Sequence, residues 1–267
     1  MFSNGEKAVF TGIRREAVDF LIGIKLNNNE AYYKDHLDVY ERELKAPLRE
    51  LNEAVTPVVH SMDPELDTRP GSVIARLRRD TRFTQDKSPF RDHIWMGWRY
   101  PGERRSEGFH MYWGFGAEWM GWGCGSYGTD RPLMDAFREC ILRDPERVRS
   151  VFNAEGLPDR YVISGERYKK MQVPEGVPDD LRKLYPLKYL EISHDGTQAE
   201  WELMQKPEFV QQMIHEINAM APLLQLMKEL RRGVKPTPME VPAPAETLTV
   251  PAGNKRIVVR SADEFDF

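Results

Sequence analysis

Cysteine is scarce in this chain: Cys124 and Cys140 are the two it has in 267 residues. They form no CxxC pair and match no Cys/His spacing that would close a zinc site. A reducing, cytoplasmic setting is therefore the expectation. Cys140 shares the apolar face of a predicted helix with Leu133, Ala136, Phe137 and Ile141, which makes it a small buried hydrophobe. Cys124, in Trp122-Gly-Cys-Gly-Ser126, stays open. Long apolar runs are missing too. Gly and charged residues interrupt every such stretch well short of about 18 positions, so no membrane span is expected. Met1-Phe-Ser-Asn-Gly-Glu-Lys7 lacks the apolar region of a secretory leader. An excess of basic charge is also lacking. The net charge of −4 and a pI near 5.9 argue against general nucleic-acid binding, although a local basic patch is allowed. The six histidines are scattered, with no His-x-x-x-His pair; convergence of His93, His110 and Asp80 on a metal is a remote option, and no metal is expected. The glycines between Gly114 and Gly128 fit neither GxGxxG nor GxxxxGK[ST]. No repeats are visible.

What the chain does have is an unusual charged segment, Ile74 to His93. It holds five arginines, one lysine, three aspartates and one histidine. Its beginning alternates like a strand: Ala75, Leu77 and Phe83 fall on one face, Arg76, Arg78, Asp80 and Arg82 on the other. Same-face side chains of a strand stand roughly 6–7 Å apart. Guanidiniums held that close need anions, either from side chains such as Asp80 and Asp86 or from a ligand. Both a structural ion-pair ladder and the floor of an anion site satisfy this. Arg79 breaks the alternation by pointing to the apolar side and is expected to reach a buried carboxylate or carbonyl.

Around this segment the chain reads as α+β. Thr11 is placed to cap a first helix carrying Ile13, Ala17, Phe20, Leu21 and Ile24. Asn27-Asn28-Asn29 stops that helix, and Asn29 caps a second running to Val55, which Pro47 kinks or divides. Strands are predicted over Ser72–Thr81, His93–Tyr100, Phe109–Phe115 and Trp119–Cys124, the later ones as an antiparallel meander. Helices start near Asp130 and at Asp144-Pro145, with Gly156 closing the second. Strands over Tyr161–Tyr168 and Tyr189–Ser193 follow, then a long amphipathic helix from about Pro207 to Leu230 stopped by Gly233. Residues 1–232 are expected to form a single α+β domain, an antiparallel sheet packed by an N-terminal helix pair and the long C-terminal helix. Five prolines mark 233–254 as an extended linker. The tail, 255–267, alternates acidic and aromatic residues.

Two blocks resemble a widespread, mostly bacterial family of conserved hypothetical proteins, a domain of unknown function. One is Asn27-Asn-Asn-Glu-Ala-Tyr-Tyr-Lys-Asp-His-Leu-Asp-Val-Tyr-Glu41. The other, Arg76 to His93, is similar to the family's run of Arg, Arg-Asp, Arg-Phe, Asp-Lys-x-Pro-aromatic-basic and His. The resemblance covers roughly Ile13 to Leu230. It implies one α+β domain and no activity. Tyr32 stands where the family usually has Trp, and Thr84 where it has Ser. The strand Phe109-His-Met-Tyr-Trp113 is richer in His and Trp than its counterpart, and the segment after Gly233 is an addition on which the family is silent.

For function, the expectation is recognition of an anionic small molecule or anionic group by Arg76, Arg79, Arg82, Lys87 and Arg91. Asp80 orients the arginines, and His93 is the proton-transfer candidate, although a hydrogen-bonded structural histidine fits it as well. Lys169 and Lys170 add charge from elsewhere or are simply solvated. The aromatic residues from Trp95 to Tyr127 read as core. The competing expectation is a non-enzymatic interaction module. In it the tail engages a protein partner, a second copy or its own domain, through Ile257 and Val259 at a sheet edge and Phe265 and Phe267 beyond. The tail could also be a substrate of the domain, or merely a solubilising extension. Ligand, cofactor and reaction stay unassigned.

Overall fold

The computed structural model of the chain describes residues 9–82, 85–103, 108–126, 128–152, 157 and 159–233. The tail residues Ile257, Val259, Phe265 and Phe267, the linker from residue 234 on, and Phe83, Thr84, Tyr127 and Gly156 lie outside the described residues. The fold is α+β, with a five-stranded antiparallel sheet of order β1-β2-β3-β5-β4. Its strands are β1 His93–Trp98, β2 His110–Gly116, β3 Met120–Gly125, β4 Val162–Ser164 and β5 Glu191–Asp195. Contacts gather the described residues into two compact units: one from those within 9–101, 112–122 and 195–218, the other from those within 102–111, 123–194 and 219–233. Among the described residues no helix is long and apolar enough to cross a membrane.

In the first unit, α1 (Arg15–Leu26) buries Ala17, Val18, Phe20, Leu21 and Ile24, the face its periodicity predicts. Thr11 does not cap it. The N-cap is Arg14, without a side-chain bond, because the preceding backbone is committed elsewhere: the Ile13 N–H donates to the Met204 carbonyl at 2.9 Å. Asn29 does cap α2 (Glu30–Asp35), accepting from the Tyr32 N–H at 3.0 Å. A short α3 (Leu37–Val39) leads into a π-helical stretch, Tyr40–Lys45, and then α4 (Ala46–Met62). The wide turn ends as the Ala46 N–H donates to the Glu41 carbonyl, five residues back. It sits where the Pro47 ring would otherwise press on the Glu43 carbonyl, so Pro47 reshapes the helix rather than ending it. Burial of the neighbouring ring pushes the Tyr40 hydroxyl up to about 12. Deep in this unit, Asn52 donates to the Thr68 carbonyl (2.8 Å) and accepts from the Trp98 indole (3.2 Å).

The strand predicted over Ser72–Thr81 is not formed as such. Pro70 starts a single helical turn, α5 (Pro70–Val73), and the chain then touches β1 and its approach through isolated antiparallel bridges, Ile74↔Met96 and Arg78↔Phe90. Between those bridges one side advances four residues and the other six, so the ribbon carries a bulge at 91–95 and the ladder cannot run on. A helix the sequence reading missed, α8 (Gln198–Met204), opens with a capping box between Thr197 and Glu200.

In the second unit, Asp130 caps α6 (Arg131–Arg143) by accepting from the Leu133 N–H, and Asp144 plays the same part for Arg147 at the start of α7 (Pro145–Phe152). β4 pairs with β5 in the register Val162↔Ser193, Ile163↔Ile192 and Ser164↔Glu191. The predicted strand Tyr161–Tyr168 shrinks to three residues, because Gly165 turns the chain with φ +153°. The long helix is α9 (Phe209–Arg231), followed by Gly233 in the left-handed conformation, φ +64°.

Trp95, Trp98, Trp113 and Trp122 are buried, as the core reading of the aromatics requires. Both cysteines are buried and free, and burial pushes the Cys124 thiol well up. A tight seam lies at Gly12, whose φ is +111° and where a Cβ would stand 2.3 Å from the Gln205 carbonyl carbon and oxygen. Gly12→Ala should therefore destabilise the protein by about 2 kcal/mol, through strain and clash together. The check is the midpoint of urea unfolding at unchanged slope.

Candidate functional site

Both sequence blocks with family character lie in the first unit, and they meet at Phe90. The side-chain amide of Asn28 donates to the Phe90 carbonyl (2.8 Å) and accepts the Phe90 N–H (3.0 Å), standing in for a neighbouring strand. Tyr33 stacks on the Phe90 ring at 4.5 Å with a 20° tilt. Arg78 covers the same ring, its guanidinium carbon 4.9 Å from the centroid, and forks onto both carboxylate oxygens of Glu30. Phe90 itself is buried.

From that anchor the arginine segment closes on itself. Ala75 and Leu77 are buried while Arg76 and Arg78 are exposed, so the predicted alternation holds this far. Arg79 turns inward, its side chain 12% exposed, and pairs with Asp86, a carboxylate that is itself 54% exposed rather than the buried partner expected. Asp86 also accepts the Ser88 N–H at 2.8 Å; that bond, the Ser88 hydroxyl and Arg79 together hold its carboxyl down to about 2. Asp80 receives Arg82 through Nε (2.9 Å) and Nη2 (2.7 Å), and this pairing brings the Asp80 carboxyl down to about 2 as well. Arg78 lowers the Glu30 carboxyl in the same way. Arg91 donates to the carbonyls of Arg76 (2.9 Å) and Arg78 (3.3 Å), and Lys87 to that of Thr81 (2.8 Å).

Arg76 is different. It is exposed, and its side chain has no counter-ion among the described residues. His93 is held by Asp92 at 3.0 Å and packs 5.9 Å from the Trp119 ring; Asp80, engaged with Arg82, is not its partner. Asp80, expected to orient the arginines, and His93, the proton-transfer candidate, are therefore engaged with different partners. Among the described residues no group of metal-ligating side chains stands together. Sequence reasoning missed Asn28, Glu30 and Tyr33 as members of this cluster, and Asp92 as the histidine's partner. The available signal was that Asn28, Glu30 and Tyr33 belong to the other distinctive block.

Fold and site define an α+β protein whose exposed charged segment is fastened to a helical cap and largely neutralised from within. The chain belongs to a family of conserved hypothetical proteins, DUF2461, whose model matches residues 16–226. Both blocks fall within that span. No curated protein matches the chain.

Two tests follow from this geometry. Asn28→Ala should lower stability by about 1–3 kcal/mol, because it strips both backbone groups of a buried residue of their partners; equilibrium unfolding measures it. The carboxyls of Asp80 and Asp86 are depressed, so what their ion pairs contribute is complete above the ordinary aspartate range near about 3.9 and is lost as pH falls through about 2. Carboxyl-carbon chemical shifts followed by NMR should show both midpoints well below that range; ordinary midpoints would mean the pairs are not formed in solution.

Proposed function

We propose that this protein recognises an anionic small molecule or an anionic group at the exposed side of its arginine segment, through Arg76, Arg82, Lys87 and Arg91. The observation that carries the reading is Arg76, a solvent-facing guanidinium without a carboxylate, on a backbone that Arg91 braces. Arg82 supplies the second contact. Its side chain is 76% exposed and its partner Asp80 57%, and an ion pair so exposed contributes little, so an incoming anion can take the place of Asp80. Arg79, tucked in against Asp86, shapes the loop and stays out of the ligand's reach. Asp80 in this picture keeps the arginine row in place until the ligand arrives. His93 is half-buried beside Asp92 and remains the proton-transfer candidate of the segment, without a nucleophile to work with; binding is the function proposed, and no reaction is assigned.

Calorimetric titration of the full-length protein with inorganic phosphate and with citrate tests this. Binding should weaken about tenfold in Arg76→Ala and again in the Arg76→Ala/Arg82→Ala double variant. The unfolding midpoint should stay unchanged, since neither residue is buried, and affinity should fall with added salt. Equal affinity in the double variant would end the proposal.

A further inference from the structure

A second basic surface lies in the other unit, and it is concave. An open cleft of about 540 Å³ is lined by Arg131, Asp135 and Arg138 from α6 and by Tyr168, Lys169, Lys170 and Met171 from the chain after β4. That volume is within the range typical of small-molecule sites, about 300–1,000 Å³.

The cleft is built from a buried arginine outward. Arg138 lies on the same face of α6 as Asp135, one turn on, and its guanidinium is anchored on three sides. Nε donates to the Tyr185 carbonyl (2.8 Å), Nη2 to the Leu187 carbonyl (2.6 Å) and Nη1 to Asp135 (2.6 Å). Its guanidinium carbon also lies 5.5 Å from the Tyr168 ring centroid. The Tyr168 N–H in turn donates to the Pro186 carbonyl at 2.9 Å, so one side chain fixes both walls. Immediately after Tyr168 the chain turns, and Lys169 and Lys170 project from that turn, exposed and without any hydrogen bond or ion pair among the described residues. Arg131 faces the same space, and its one ion-pair contact, Asp135 at 3.7 Å, is the carboxylate already bonded to Arg138.

Four cations therefore share a single carboxylate in one concavity, which raises the local concentration of anions. Arg138 is neutralised by its bonds; the two lysines and Arg131 are not. Against them stand the Tyr168 ring and Met171, an apolar surface. We propose that this cleft binds a phosphorylated small molecule, the phosphate dianion held by Arg131, Lys169 and Lys170 and the apolar part of the ligand resting on Tyr168 and Met171. A dianion suits three unneutralised cations better than a carboxylate does. The site is independent of the arginine segment and stands or falls separately from it.

The experiment titrates phenyl phosphate into the full-length protein by calorimetry, with inorganic phosphate and phenol in parallel. Phenyl phosphate should bind saturably at one site, more tightly than inorganic phosphate, and phenol should not bind. Lys169→Ala/Lys170→Ala should weaken it at least about tenfold, as should Arg131→Gln, the second variant in case the first disturbs the turn. Arg76→Ala/Arg82→Ala should bind it as the parent does. No saturable binding, equal binding by phenol, or affinity unchanged in both cleft variants would overturn the proposal. So would a loss confined to the Arg76→Ala/Arg82→Ala variant, which would place the ligand on the arginine segment instead.

Discussion

Phe90 precedes the bulge in the ribbon that leads into β1, and there its N–H and carbonyl face α2 rather than another strand. Both groups are satisfied by one residue, because the amide of Asn28 offers a donor and an acceptor in the spacing of a peptide group. That substitution has consequences in both directions along the chain. It fixes where α2 begins, two residues beyond Asn28, with Asn29 between them as its cap. It also holds the Phe90 ring where Tyr33 can stack on it and Arg78 can cover it. With Arg78 so placed, Glu30 in the first turn of α2 is the carboxylate within reach of its fork. A bulky aromatic, a helix start and an ion pair thus depend on two hydrogen bonds from a single asparagine.

The arginines that make this segment conspicuous divide into roles according to what else is near. Six cations over residues 74–93 face three aspartates of the same segment and Glu30 from α2. Arg78, Arg79 and Arg82 take a carboxylate each, and Arg91 takes carbonyls, so most of the row is a device for holding an irregular ribbon together where a regular ladder fails. Exposed pairs add little to stability. Their value here lies in direction, since bidentate forks define where each side chain points. The residue left over, Arg76, is the one that structure alone does not account for.

Much of the fold was legible because its signals are local. The 3.6-residue apolar period of α9, the Asp-x-Pro and Asp-Pro starts of α6 and α7, the short glycine-bearing turns around the bulky strands β1 to β3 and the Asn29 cap all act within a few residues. The segment 72–81 misled because its alternation is genuine for four residues while its pairing is decided by a bulge in the opposite chain, which no pattern within 72–81 reports. Thr11 misled for a related reason: a cap was chemically available, but the backbone there is drawn to Met204. The capping box of α8 was readable as Thr-x-x-Glu and was passed over. Of the site, the arginine row and the partnership of Arg79 with a carboxylate could be read; Asn28 and Glu30 could not, since their bonds span 62 and 48 residues.

The cleft in the other unit shows the same limit from the opposite side. Lys169 and Lys170 look like ordinary solvated residues, and Arg138 looks like the polar edge of an amphipathic helix. Arg138 becomes a strut because its guanidinium reaches carbonyls 47 and 49 residues away, and that strut brings a turn bearing two lysines beside the first residue of α6. The two basic surfaces then differ in a way that bears on function. The arginine segment carries nearly enough acid to neutralise itself and so can exist without a ligand, whereas the cleft carries one carboxylate for four cations. Like charges gathered in a concavity repel one another more strongly than on open surface, where water screens them. The surface with the greater unmet charge is the one an anion would relieve more.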